Sequence, residues 1–385
     1  MAKLKVCHII TKLELGGAQQ NTLYTVSHLD KERFEPVLIS GKGGILDAEA
    51  KKLSGITVHF TPHLIREARP VADALGFFSL WRLLKKEKPD IVHTHSSKAG
   101  ILGRWAAWCA GVPVIIHTFH GFGFHDFQKK PVRAFYVGLE KLSAWVTDKL
   151  VAVSTDNIDK GLQCRIGWPH QYVLIRSGID VSRYRDISPD REGKKKELGI
   201  GMDEKVVTTI GPFKPQKNLK DFIQAAHLLY KQTPSCRCRF LIIGDGEQRP
   251  ELENLIKQLD LGEKVQLLGW RRDVPELLAI TDVFAMTSLW EGLPRSVLEA
   301  MSSVLPVVAN AVDGVKEVVR DGHTGFLTEP YHPESTADFL LRLLNTPDLA
   351  RQMGKKGQEL IDKQYDIHYM VKQQEDLYTH LMPKQ

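Results

Sequence analysis

The chain has 385 residues, 43% of them hydrophobic and 25% charged, an ordinary composition for a folded protein with room for two full cores. Its net charge of +6 favours anionic partners: nucleic acid, an anionic bilayer or a phosphorylated small molecule. The chain has no zinc-finger spacing, no aromatic-basic RNA motif and no basic tail, which excludes nucleic acid; its five cysteines, odd in number and without metal-ligand spacing, argue for reduced thiols in the cytosol.

The opening MAKLKVCHII carries too short an apolar run for a signal peptide and reads as a first strand. LELGGAQQNTL (13–23) then sets a glycine pair between that strand and a first helix. Gly16 and Gly17 permit positive φ and close approach of the backbone to a ligand. The pair is not a G-x-G-x-x-G, and no Walker lysine follows it, which argues against P-loop chemistry. PVLIS (36–40), ITVHF (56–60), DIVHTH (90–95), PVIIHTF (113–119), KLVAVS (149–154) and YVLI (172–175) read as further buried strands, with helical stretches between most of them. Such alternation marks βαβ units on a parallel sheet.

From Trp105 to His125 there is no Lys, Arg, Asp or Glu. Gly111 and Pro113 interrupt this run, which predicts helix, turn and buried strand rather than a membrane span. His93 and His95 share one face of a strand. An H-x-H at a strand end can bind metal, but no later Asp or His cluster completes a site, so no metal is expected. His120, just past a strand end and followed by Gly121, is placed to touch a substrate.

ISPDREGKKKELGIGMDEK (187–205), rich in Gly, Pro and charge, reads as a linker with one short helix. The strand pattern then restarts with VVTTIG (206–211), RFLIIGDG (239–246), VQLLGW (265–270), VFAMTS (283–288), PVVAN (306–310) and GFLT (325–328). The expected fold is α/β, with two doubly wound domains in tandem over residues 1–186 and 187–365. A last helix, within 366–385, can pack back on the first domain. Ligands of such sheets bind at the carboxyl ends of strands, at switch points. With two facing domains, the cleft between them is the expected site.

Two stretches of the second domain carry candidate chemistry. TTIGPFKPQKNL (208–219) is a strand end, a turn at Gly211 and two lysines, Lys214 and Lys217, before a helix from about Leu219. The lysines are either solvated or enter a phosphate cleft. Cys236 and Cys238, a C-x-C, mark a strand entry rather than a redox pair. EGLPRSVLEAM (291–301) puts Pro294 in the first turn of a helix. The amides of Arg295, Ser296 and Val297 then form a positive helix end suited to a diphosphate. Glu299 lies about 7 Å further along the axis, within reach of ribose hydroxyls instead. Glu291, ahead of the helix, reaches polyol hydroxyls on the other side of the phosphates. Taken alone, the stretch is equally a capped core helix.

Together these pieces resemble the retaining glycosyltransferases of family four, with two Rossmann-like domains facing across a cleft in the GT-B arrangement. The E-x7-E stretch EGLPRSVLE is the most specific part, within SLWEGLPRSVLEAM and followed by PVVANAVDGVKEVVRDGHTGFL. LGGAQ, HTFHG, IGPFKPQKNL and IIGDGEQRPEL fall in family order, and the likeness covers nearly the whole chain. The resemblance implies a nucleotide-sugar donor, UDP-linked by preference, bound mainly by the second domain, and a glycan or lipid-linked acceptor bound mainly by the first. It implies that Glu291 contacts the donor sugar, Lys217 the diphosphate and Glu299 the ribose, and that His120 sits near the reacting sugar. Backbone amides at Gly16 and Gly17 would close over the phosphates. His120, Glu291 and Lys217 would carry catalysis. Gly211, Lys214, Gly292, Leu293, Arg295, Ser296 and Val297 would complete the donor site. No metal or other cofactor is implied, the nucleotide-sugar being a substrate.

HGFGFHDFQKKPVRAFYVGLEKLSAW (120–145) mixes aromatics with Lys and Arg. It suits a lipid-linked acceptor at an anionic membrane surface, or a plain surface helix and loop. The former matches a cytoplasmic enzyme, peripheral at the inner face of the membrane, in surface-polysaccharide or glycolipid assembly. Rival functions are a nucleotide-sugar 2-epimerase of the same architecture and an inactive sugar-binding regulator; the presence of both glutamates argues against the second. An NAD-dependent oxidoreductase would need a G-x-G-x-x-G and a ribose-binding acid after strand one, which are not found.

The chain departs from the family in places. Pro212 stands where an arginine usually follows the glycine. Ser177 replaces a usual Asn. Val304-Leu305 and Asp313-Gly314 stand where glycines are common. The missing arginine leaves Lys214 or Arg295 to take over part of its charge.

Overall fold

The computed structural model describes residues 3–186 and 189–382. Met1 and Ala2 of the first-strand segment, Ile187 and Ser188 at the head of the expected linker, and residues 383–385 of the terminal segment lie outside the described residues. The chain forms two compact units, Met1–Gly178 with Ile367–Gln385, and Ile179–Asp366.

In the first unit seven strands form one sheet: β1 (Leu4–Lys12), β2 (Phe34–Gly41), β3 (Thr57–Thr61), β4 (Ile91–His95), β5 (Val114–Phe119), β6 (Lys149–Ala152) and β7 (Tyr172–Leu174). Their order is β3-β2-β1-β4-β5-β6-β7, with every pairing parallel. Burial on both faces explains the continuous apolar runs. Cys7, Ile9, Val37, Ile39, Val92 and Ile115 pack with Leu80 and Leu84 of the helix Pro70–Glu87, and with Ala99 and Ala106 of the helix Ser97–Ala110. Val6, Ile91, Ile116 and Val151 meet Ile367, Met370, Val371 and Tyr378 of the last helix, Ile367–Leu381. Each such side chain contributes about 1.5–3 kcal/mol when fully buried, which holds the last helix to this sheet.

The charge-free run after Trp105 is part of a helix closed by left-handed Gly111 (φ 74), then β5. No helix among the described residues is long and apolar enough to cross a membrane.

The second unit has β8 (Lys205–Ile210), β9 (Cys238–Ile243), β10 (Val265–Gly269), β11 (Val283–Met286), β12 (Val307–Asn310) and β13 (Gly325–Thr328). Their order is β10-β9-β8-β11-β12-β13, again parallel throughout. Val207, Phe240, Ile242, Val283 and Ala285 pack against Phe222 and Ile223 of the helix Leu219–Gln232. Cys238 opens β9, a strand entry.

The compositional boundary at 186/187 needs correction. The second unit begins at Ile179, whose N–H donates to the Tyr365 carbonyl at 2.9 Å. Nor does the rest of the polar segment behave as a linker. Its short helix, Arg191–Glu197, is capped by Asp190, and Lys195 Nζ donates to the carbonyls of Met202 (3.1 Å) and Glu204 (2.7 Å).

Strand order reverses between β1 and β4 in one sheet and between β8 and β11 in the other. At such points the loops leaving neighbouring strands part and open a crevice at the carboxyl edge.

Candidate active site

In the second unit the site is built from the loops after β8 and β11. A side chain at Gly211 would place its Cβ 2.8 Å from Lys217 Cε, so glycine lets the lysine stem fold across the end of β8. Lys214 precedes the 3-10 turn Pro215–Lys217, and its amide donates to the Pro212 carbonyl at 2.8 Å. The β11 loop is stitched to that turn. Thr287 Oγ1 donates to the carbonyls of Lys217 (3.2 Å) and Asn218 (3.0 Å). The Leu289 N–H donates to the Gln216 carbonyl (2.8 Å), and Gln216 Nε2 to that of Trp290 (2.8 Å). The result is an ion pair, Lys217 Nζ to Glu291 Oε1 at 2.5 Å, with the side chains only 13% and 9% exposed.

Asp313 was not anticipated. Its carboxylate accepts the Glu291 N–H at 2.9 Å and so fixes the glutamate's backbone. It does this from φ 37, a left-handed conformation that Asp tolerates better than most residues. Val304 also has positive φ, 61. Both positions are among those where the family commonly has glycine, so the substitutions keep the backbone shape and accept some strain.

The helix after this loop is Arg295–Ser302, with Pro294 as its N-cap rather than inside its first turn. The expectation of three available amides is also corrected. The Val297 N–H donates to the Pro294 carbonyl at 3.1 Å, closing the helix on itself. Gly292, Leu293 and Ser296 are buried alongside. One turn in, buried Glu299 lies 3.7 Å from the Arg295 guanidinium. It also takes a hydrogen bond from Tyr184, in the short helix Ser182–Arg185. Burial, then the charge of Glu299, pushes the Tyr184 hydroxyl up, so the tyrosine stays a donor. A larger pocket of about 450 Å³ opens at the opposite, amino-terminal edge of the sheet. Its Arg185 and Arg191 already donate to backbone carbonyls, and its Lys205 pairs with Asp282, so it offers no comparable chemistry.

In the first unit the glycine pair does not use positive φ. Gly16 is extended (φ −133) as the N-cap of the helix Gly17–His28, and Gly17 is that helix's first residue. Asn21 of this helix, His95 at the end of β4 and His120 after β5 line one small pocket, together with Arg176, Ser177 and Gln374. Asn21 is buried, and neither polar atom of its side chain has a hydrogen-bond partner.

Behind His120 lies a feature the sequence did not reveal. His8, in register with His93 on the neighbouring strand, completes a buried cluster with His93 and His95. The ligand atoms lie within 4.8 Å of one another, close enough to hold a metal ion. The sequence expectation turned on a later Asp or His cluster, whereas His8 lies earlier in the chain. A polar residue inside the otherwise apolar run VCHII was the available signal. Burial holds the His8 imidazole down to about 3, and those of His93, His95 and His117 well below their ordinary range, so these rings are neutral.

The segment at 120–145 contains the helix Lys130–Ala144. Val132, Phe135, Leu142 and Trp145 lie exposed at helical spacing, Phe135 at 62% and Trp145 at 73%, beside exposed Lys129 and Lys130.

Two family models match the chain: Glycosyltransferase Family 4 over residues 15–183 and Glycosyl transferases group 1 over residues 190–360. The chain is 34% identical over 382 residues to UDP-Gal:alpha-D-GlcNAc-diphosphoundecaprenol alpha-1,3-galactosyltransferase of Escherichia coli, covering 99% of this chain and 98% of that protein. It is 32% identical to N-acetyl-alpha-D-glucosaminyl L-malate synthase of Bacillus anthracis, over 76% of this chain and 75% of the other. The solved structure of Anabaena Alr3699/HepE in complex with UDP and glucose matches with a TM-score of 0.83 at 20% identity, covering 98% of this chain and 100% of that one. That likeness is one of fold, the two parallel-sheet α/β domains of GT-B proteins.

Proposed function

Because the chain belongs to glycosyltransferase family 4, we propose that it moves a hexosyl group from a UDP-sugar to a lipid-linked or other glycan acceptor, with retention of anomeric configuration. The role is in surface-polysaccharide or glycolipid assembly. The observation that carries this is the Lys217–Glu291 pair at the β8/β11 switch point, in a chain that aligns end to end with an enzyme named for UDP-Gal and a diphosphoundecaprenol-linked sugar. Both relatives are named for α-configured products, which supports retention for donors α-linked to their diphosphate.

In this mechanism the diphosphate lies against Lys217 and the start of the helix Arg295–Ser302. Lys217 exchanges the Glu291 carboxylate for the departing diphosphate, and Glu291 turns to hydroxyls of the sugar. The acceptor's proton passes to the leaving diphosphate on the same face, so no second carboxylate of the glycosidase kind is required. Stabilisation of the leaving charge does most of the work, and the protein's own cations supply it without a metal. A donor panel read by thermal shift, followed by product analysis with the best donor, tests the assignment. Stabilisation by no nucleotide-sugar would contradict it.

Glu299 has a different expected signature. A ribose contact acts equally in ground and transition states, so Glu299→Ala should weaken donor binding by roughly 10-fold or more and leave turnover nearly unchanged. Calorimetric titration with donor, beside steady-state kinetics, separates the two. A turnover loss at intact affinity would displace Glu299 from the ribose.

The exposed apolar stripe Val132, Phe135, Leu142 and Trp145, edged by Lys129 and Lys130, supports peripheral contact with the inner face of an anionic membrane. Binding to anionic vesicles is expected to weaken as salt rises, since surface attraction is screened within about 8–10 Å near physiological ionic strength. Equal binding to neutral and anionic vesicles, or none to either, counts against it.

A further inference from the structure

We propose that Asn21 is a further specificity-determining residue, whose carboxamide takes one hydroxyl of a substrate sugar into a recess beside His120. This rests on the sugar transfer proposed above.

Asn21 lies one turn into the helix Gly17–His28, which starts at the carboxyl edge of the sheet just after β1. It is only 2% exposed, and neither Oδ1 nor Nδ2 has a partner within the protein. Asparagine is a poor helix former, and burying an amide without partners is costly, so an apolar residue of similar size would serve the fold better. Its polar neighbours are not in this state. Thr22 Oγ1 donates to the Ala18 carbonyl at 2.8 Å, Thr118 Oγ1 is bonded to His93 Nε2 at 2.6 Å, and Gln374 is bonded to the Tyr378 hydroxyl at 3.1 Å. A ligand group that enters and pairs with the amide accounts for Asn21 here.

The recess itself limits what that group can be. Its free space is about 10 Å³, about what a single oxygen atom needs. A sugar ring, a phosphate or an acetamido group does not fit, whereas one hydroxyl does. Among the described residues that line it, only His120 and Arg176 are partly exposed, so it opens beside them, at the carboxyl edge of the sheet. The amide's chemistry makes the same choice. A carboxamide presents donors and an acceptor side by side. A phosphate oxygen would satisfy only its N–H groups and an ammonium only its oxygen. A hydroxyl both donates and accepts, and so suits the amide whichever way round it sits.

Kinetics with the best donor and a lipid-linked sugar acceptor test this, each sugar also supplied as its monodeoxy analogues at every position except the reacting hydroxyl. Asn21→Ala removes the amide and leaves the recess open; Asn21→Leu removes it and fills the recess with carbon. Wild-type protein should discriminate against one monodeoxy analogue by roughly 10–10²-fold in kcat/KM. Both variants should lose that discrimination, through a fall of about the same size with the native sugar. Whether the sensitive analogue is of the donor or of the acceptor identifies the source of the hydroxyl. The melting temperature of Asn21→Leu should equal or exceed that of the wild type, since the unpaired amide is gone. Wild-type kinetics in Asn21→Ala, or a monodeoxy preference that survives both variants, would overturn the proposal and leave the recess to a bound water only. If neither variant folds, the wild-type panel decides, and indifference to every monodeoxy analogue overturns it. Wild-type protein that transfers no sugar removes the reaction and this proposal with it, whereas transfer unaffected in both variants removes Asn21 alone.

Discussion

Lys217→Ala is expected to lower turnover by roughly 10²–10³-fold, the scale of one preorganised donor at a developing charge. Breaking the glycosidic bond adds one negative charge to a diphosphate that already carries two, and the arginine usual in this family is Pro212 here. Lys217 keeps its position, its stem laid over Gly211 and its ammonium directed at Glu291. We propose that Lys214, ahead of the same turn, or Arg295, the first residue of the following helix, supplies part of the missing charge. Lys214→Ala or Arg295→Ala should then also lower turnover, by no more than Lys217→Ala does. The structure adds a condition for Arg295: its guanidinium lies 3.7 Å from Glu299 and has to serve both groups. Steady-state kinetics of the three variants with the true donor decides. Loss confined to Lys217→Ala leaves one lysine and the helix amides sufficient. No loss in any of them means the diphosphate lies elsewhere.

Glu291→Gln should lower turnover by roughly 10²-fold while UDP binds as well as before, or better. Glu291 is placed at the transferring sugar, where its charge helps most in the transition state. It is also the present partner of Lys217, at 2.5 Å, so an incoming diphosphate competes with it for the ammonium. Removing the charge removes the competitor. Glutamine keeps the shape and the backbone bond to Asp313, so the loop should hold. Kinetics and calorimetric titration with UDP check the split. Equal losses in UDP affinity and turnover would instead make Glu291 a structural clamp on Lys217.

Much of the fold was legible because parallel strands buried on both faces are almost continuously apolar, as Val37 to Ile39 and Phe240 to Ile243 are. The positions of Lys217 and Glu291, on the loops after β8 and β11, were legible because those strands could be placed, and that of Glu299 because it lies in the helix that follows. The boundary at Gly178 was not, because it depends on Ile179 pairing with Asp366, a partner distant in sequence. Asp313 and Tyr184 were missed for the same reason: each reaches its glutamate from a separate element, and neither carries a local pattern. Val297 was misjudged because free amides were counted from an ideal helix, whereas Pro294 closes the first turn early. The positive φ allowed for the glycine pair is not used, since Gly16 is extended and Gly17 begins the helix. His8 was visible in principle, as the polar residue in an apolar strand, but its meaning required the register with His93.

The most direct test of the central claim is the anomeric configuration of the product. Purified protein would be incubated with α-linked UDP-hexoses and a lipid-linked sugar acceptor, and the new linkage assigned by proton NMR from its one-bond and vicinal couplings. The predicted result is an α-linked hexose, one for each UDP released. A β-linked product would contradict retention. An epimerised nucleotide-sugar formed without acceptor would contradict transfer itself.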